Sequence, residues 1–166
     1  MRNRQIIWLA TALALALLTL PPAGRARAAD AAPAPSPLEV VVDCRCPDVV
    51  GQEFCATLKD HLRASKSFHL ANAATGLGMG VHVSSIDMWR GINDQLIDRM
   101  SAVSVTFTIF SDKLPGEIYE DSSVFRVGIH ATDKMSDKIV AALGQIATVN
   151  AAALAQLRAA ANPPAH

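Results

Sequence analysis

"LEVVVDCRCPDVVGQEFCATLKDHLRA", residues 38–64, changes its hydrophobic period halfway along, and that change sets the fold class. Leu38 to Cys44 is a β-branched apolar run, the pattern of a strand inside a sheet. Pro47 and Asp48 supply a helix start, because proline is tolerated in a first turn. Beyond them Val50, Phe54, Leu58 and Leu62 recur every four residues, with Lys59, Asp60 and Arg63 on the other side. A strand over 38–44 and an amphipathic helix over 49–64 are therefore expected.

Strand patterns continue downstream. "FHLA" (68–71) is short, and "ATGLGMG" (74–80) reads as a loop, since its glycines lack the spacing and lysine of a phosphate cradle. "VHVSSIDM" (81–88) and "SAVSVTFTIF" (101–110) follow; in the second, Val103, Val105, Phe107 and Ile109 alternate with Ser104, Thr106 and Thr108. Between them Trp89, Ile92, Leu96 and Met100 fall at helical spacing, so 87–100 is expected as a short amphipathic helix capping the sheet. Pro115-Gly116 marks a turn, and "SSVFRVGIH" (122–130) alternates again. Thr132 and Asp133 open a long closing helix. The order is β-α-β-β-β-β-α. It predicts an α/β two-layer sandwich, a mixed and mostly antiparallel sheet with two main helices on one face. Phe54, Leu58, Phe107 and Phe125 should share the core.

The N-terminus points to export. Arg2 and Arg4, the 15-residue uncharged run "IIWLATALALALLTL" and "PPAGRARA" form the three-part layout of a signal peptide. Cleavage is placed after Ala28, within one to four residues; an uncleaved anchor is the alternative, though the run is shorter than the ~20 residues of a span. Residues 1–28 hold four arginines and no acids, leaving 138 residues with 11 basic and 15 acidic side chains. With no basic face, nucleic acid is not expected as a partner, and no membrane span is expected after cleavage. Residues 29–37 form an Ala/Pro-rich tether, 38–148 a single domain, and 149–166 a helical extension and tail.

"PDVVGQEFCATLKDHLRASKSFHLA" resembles the helix-then-strand unit of the TolB N-terminal domain and of CsgG- and LpoB-like bacterial envelope proteins. The step is Leu62, Ser65, Phe68 and Leu70, and the likeness extends loosely over 38–148. It implies a two-layer α/β domain that works by contacting other envelope proteins, without enzymatic activity. The chain departs from TolB in having no β-propeller in the sequence, and from the lipoprotein members in lacking a lipidated cysteine. No functional residue carries over.

Chemistry-bearing residues are sparse. Cys44, Cys46 and Cys55 lie within twelve residues, but the CxC spacing is not a redox CxxC, and a zinc site with His61 would place Cys55 and His61 on different helical faces. In an oxidising periplasm one bridge is expected, Cys46–Cys55, with Cys44 a buried thiol, because a helix lies about 10 Å above a sheet. Histidines 61, 69, 82 and 130 are scattered, with a His82/His130 pair beside Arg126 conceivable on the polar sheet face. Asp87, Asp94 and Asp98 have no catalytic layout. No catalytic, metal or cofactor site is expected.

The closing helix carries the functional expectation. Ile139, Leu143, Ile146, Asn150, Ala153 and Leu157 form a heptad-like seam. A helix over 132–161 would be ~45 Å long, more than the sheet can cover. Val149, Asn150, Ala153, Leu154 and Leu157 are therefore candidates for meeting a partner helix, in an envelope protein or a second copy; fraying or packing back on the domain are the alternatives. The function expected is a periplasmic or secreted adaptor. The alternative is a small periplasmic enzyme or ligand binder using the polar sheet face and residues 87–100.

Overall fold

The computed structural model describes residues 36–161. The expected signal segment, the tether up to residue 35 and the tail from 162 lie outside the described residues. The chain runs β1 (Leu38–Arg45), α1 (Val49–Ala64), β2 (Phe68–Ala71), β3 (Gly78–Asp87), β4 (Met100–Phe110), β5 (Ile118–Gly128), α2 (Thr132–Val149) and α3 (Ala151–Ala161). Short 3-10 turns occupy Asp94–Leu96 and Ile129–Ala131. The five strands form one mixed sheet in the order β2-β1-β3-β4-β5, and the fold is α/β as expected.

β1 runs parallel to β2 and β3, whereas β3·β4 and β4·β5 are antiparallel. The sheet is thus mixed and mostly antiparallel, as expected, with its parallel pairs gathered around β1 because β2 and β3 do not pair with each other. They flank β1. β2 has four residues and spans only about 13 Å, so the chain between Ala71 and Gly78 is long enough to return for a second parallel strand.

One face of the sheet is covered. Val50, Phe54, Leu58 and Leu62 of α1, all fully buried, meet Val40, Val81, Val83, Val103, Val105 and Phe107 of the sheet. Ile139 and Leu143 of α2 close the same core, and the Phe125 ring meets Phe54 edge-on at 5.9 Å. The start of α1 is anchored by Asp48, its N-cap. The Asp48 carboxylate accepts from the Gly51 amide at 2.7 Å and from the hydroxyls of Ser85 on β3 and Ser101 on β4. Gly51 is required by this approach, since a Cβ there would fall on the Ser85 hydroxyl.

Four expectations are corrected. β3 begins at Gly78, inside the stretch read as loop, because glycine is needed there for close approach: a Cβ at Gly78 would sit 2.6 Å from both the Glu39 carbonyl oxygen and the Phe110 ring. Residues 87–100 form no amphipathic helix, only the turn Asp94–Leu96. The Asp87 carboxylate takes the amides of Trp89, Arg90 and Asp98 and draws the segment into a loop, and Ile92 is left 75% exposed. The disulfide joins Cys44 to Cys55, not Cys46 to Cys55, at a Cα separation of 6.5 Å, and Cys46 is free. The 10 Å spacing is measured to the helix axis; a Cα on the facing side is nearer by the helix radius of ~2.3 Å, and α1 lies closer still at Cys55, where the 6.5 Å Cα separation is within bridging range. Finally, the closing helix breaks at Asn150, and the two halves differ in direction by 66°.

Candidate functional site

Strand pleating sends alternate side chains to the face without helices. Register places these in rows across β1, β3, β4 and β5: Asp43, His82, Thr106 and Ser122; then Arg45, Ser84, Ser104 and Val124; then Ile86, Ala102 and Arg126 on the last three strands. Ile86 is 63% and Val124 76% exposed. With Ala102 between them they line a shallow depression of about 260 Å³, bordered by Ser84 and Ser104. This apolar patch extends to β5, an edge strand of 11 residues paired on one side only.

The other end of the same face is charged. His82 Nε2 lies 2.6 Å from Glu117 Oε2, and Thr108 donates to the same oxygen at 2.6 Å. Asp43 stands 3.8 Å from His82 Nδ1, and Asp43 and His82 line a 300 Å³ hollow with Arg45 and Thr106. Gly80 makes the cluster fit, since a Cβ there would displace Thr108 and lie 3.0 Å from His82 Nε2. Burial raises the Glu117 pKa, but hydrogen bonds from Thr108 and His82 outweigh it and hold the carboxyl below its ordinary value.

The remaining histidines lie elsewhere. His130 is in the turn after β5 and His69 is on β2, so the conceived His82/His130 pair does not form. His61 links the helices, with Nε2 2.9 Å from Asp133 and Nδ1 2.8 Å from Asp137 of α2. Its pKa is raised, first by the Asp133 hydrogen bond and further by Asp137, against an opposing effect of burial.

A second cleft, of about 380 Å³, is lined by Cys44, Cys46, Cys55, Gln52, Lys59 and Arg63, among others. Burial pushes the Cys46 thiol up from its ordinary value. The Cys44–Cys55 bond is consistent with a compartment outside the cytoplasm. Among the described residues no group of three or more His, Cys, Asp or Glu is placed to hold a metal ion.

The C-terminal candidates do not share one exposed face. Leu154 is buried and Leu157 packs against the core, while Val149 and Ala153 are exposed. The Asn150 side chain donates to Glu120 Oε2 at 2.8 Å and to the Ile146 carbonyl at 3.1 Å. Asn150, expected on a seam facing a partner helix, is the hinge at which α3 turns back. No single helix among the described residues is long and apolar enough to cross a membrane.

Glu117 and Gly80 escaped the sequence reading. Glu117 looked like the end of a turn and Gly80 like part of a loop; the available signal was a polar alternation of Gly80, His82 and Ser84 on one face of β3. Compared with known proteins, the chain matches no family model and no curated protein.

Proposed function

We propose that the chain is a non-enzymatic interaction module of the bacterial cell envelope, which docks on a partner protein through the bare face of its sheet and edge strand β5. The observation that carries this reading is the one-sided sheet. Its helix side is packed, while Ile86 and Val124 stand exposed across β3, β4 and β5 beside an 11-residue edge. Long exposed edges are a template for pairing, and natural proteins usually blunt or cover them. The signal-like segment 1–28 and the Cys44–Cys55 disulfide support a periplasmic setting, and the TolB-like order of elements supports an adaptor role.

The partner surface is thereby moved from the C-terminal helix to the sheet. The test compares capture from an envelope extract by the wild type and by Val124→Asp. The variant should lose the partner at unchanged fold, because Val124 makes no core contact. Equal capture by both would refute the docking face.

A second reading is favoured by the space that Gly80 leaves for His82, Thr108 and Glu117: a small polar ligand bound at the charged end. Loss of function on Glu117→Gln with Val124→Asp active would select it.

A further inference from the structure

The three cysteines form more than a staple and a spare. Cys44 lies on the helix-facing side of β1, and both Cys44 and Cys46 pack against the core cluster beneath α1. Residues two apart in an extended chain point the same way and lie about 6.6 Å apart. Cys44 is bonded to Cys55. The Gln52 side chain donates to the Cys46 carbonyl at 3.2 Å, and Gln52 precedes Cys55 by one helical turn. The Cys46 backbone is thus tied to the α1 turn ahead of Cys55, and all three cysteines line one open cleft with Lys59 and Arg63.

We infer that Cys46 is the resident nucleophile of an internal thiol–disulfide exchange site, in which Cys55 is bonded alternately to Cys44 and to Cys46. The step is balanced within the chain. Cys46 loses its proton to solvent, its thiolate attacks Cys55 Sγ, the Cys46–Cys55 bond forms, the Cys44–Cys55 bond breaks, and Cys44 leaves as a thiolate that takes a proton. No oxidant or reductant is consumed. The exchange moves the covalent tie of α1 from strand β1 to the connection before Asp48, while Asp48 keeps the helix start in place through Ser85 and Ser101. It also leaves one thiol at the cleft in either form, so a thiol-bearing molecule entering beside Lys59 and Arg63 meets a disulfide and a thiol together. Burial, reinforced by the Asp48 carboxylate, holds the Cys46 thiol above its ordinary pKa against a hydrogen bond with Ser85, one with the Arg45 backbone and the charge of Lys59, so exchange is slow near neutrality and accelerates as pH rises, about tenfold per pH unit while the thiolate is the minor form.

The sequence offers a clean assay. Trypsin cuts after Arg45, so Cys44 leaves in one peptide and Cys46 and Cys55 together in residues 46–59. The full purified chain is incubated at pH 7 and at pH 9, quenched in acid, alkylated briefly and mapped. The expected result is alkyl label on Cys44 with an internal bond in peptide 46–59, growing faster at pH 9 and at a rate independent of protein concentration. Label confined to Cys46 after prolonged incubation at pH 9 overturns the inference. A second variant guards against an equilibrium that hides the minor bond. Cys44→Ser, checked for fold by circular dichroism, should close Cys46–Cys55 on air oxidation; a folded variant with both thiols open to alkylation overturns it equally. If Cys44→Ser does not fold, the wild-type label alone decides.

Discussion

Asp48→Ala should be among the most damaging single substitutions outside the hydrophobic core. Asp48 is 2% exposed, and its carboxylate accepts from the Gly51 amide and from the hydroxyls of Ser85 and Ser101. Removing the cap costs about 1 kcal/mol. Ser101, wholly buried, is left without its acceptor, a further ~1–2 kcal/mol. Ser85 is only half-buried and recovers a water, so its share is small. Together these give a loss of roughly 2–3 kcal/mol, a large part of the ~5–15 kcal/mol by which a domain is stable. Urea unfolding followed by circular dichroism measures it. With a slope of about 1–1.5 kcal/mol per molar, the midpoint should fall by ~2 M at unchanged slope. Ser101→Ala should cost less, about 1 kcal/mol, since the carboxylate keeps its other two donors. A loss under ~0.5 kcal/mol for Asp48→Ala would show that the two hydroxyls do not hold the helix start, and would refute the anchor.

Three further outcomes follow from side-chain placement. Gly80→Ala should cost ~1–3 kcal/mol, because the new methyl overlaps the Thr108 hydroxyl, and nuclear magnetic resonance should show the His82 ring signals shifting as the Glu117 contact opens. The His61 link gives a pH dependence of definite sign. Its folded pKa is raised, so its stabilising contribution is complete below the ordinary histidine value of ~6.5 and is lost as pH rises through the folded value. Asp133→Asn should lower the His61 pKa in a proton-resonance titration and flatten that part of the stability profile; an unchanged pKa would contradict the contact. Leu154→Ala should destabilise by ~2–3 kcal/mol in urea, since α3 packs on its own domain, whereas Val149→Ala should be near neutral.

Much of the fold was legible because periodicity reports burial directly. The four-residue recurrence of Val50, Phe54, Leu58 and Leu62 and the alternation of Val103, Val105 and Phe107 both appear as fully or almost fully buried faces. What was not legible depended on one polar group reorganising backbone, or on a distance. Trp89, Ile92, Leu96 and Met100 keep helical spacing, yet three amides drawn to Asp87 make a loop. Asn150 fits a heptad seam, yet its side chain bonds the Ile146 carbonyl and Glu120 where the helix breaks. Glycines that mark loops elsewhere lie in β3 because Phe110 and Thr108 leave no room for a Cβ. The charged cluster joins residues 43, 82, 108 and 117, which sheet register and the turn before β5 bring together.

Whether the bare sheet face is the docking surface is tested most directly by placing a photoreactive residue at Val124 in the full chain expressed in its envelope, with the same residue at Val149, equally exposed but on the helices, as control. The account predicts a discrete adduct with one envelope protein from position 124, abolished by Ile86→Asp, and none from 149. An adduct from 149 alone, or one from 124 that survives Ile86→Asp, would contradict it.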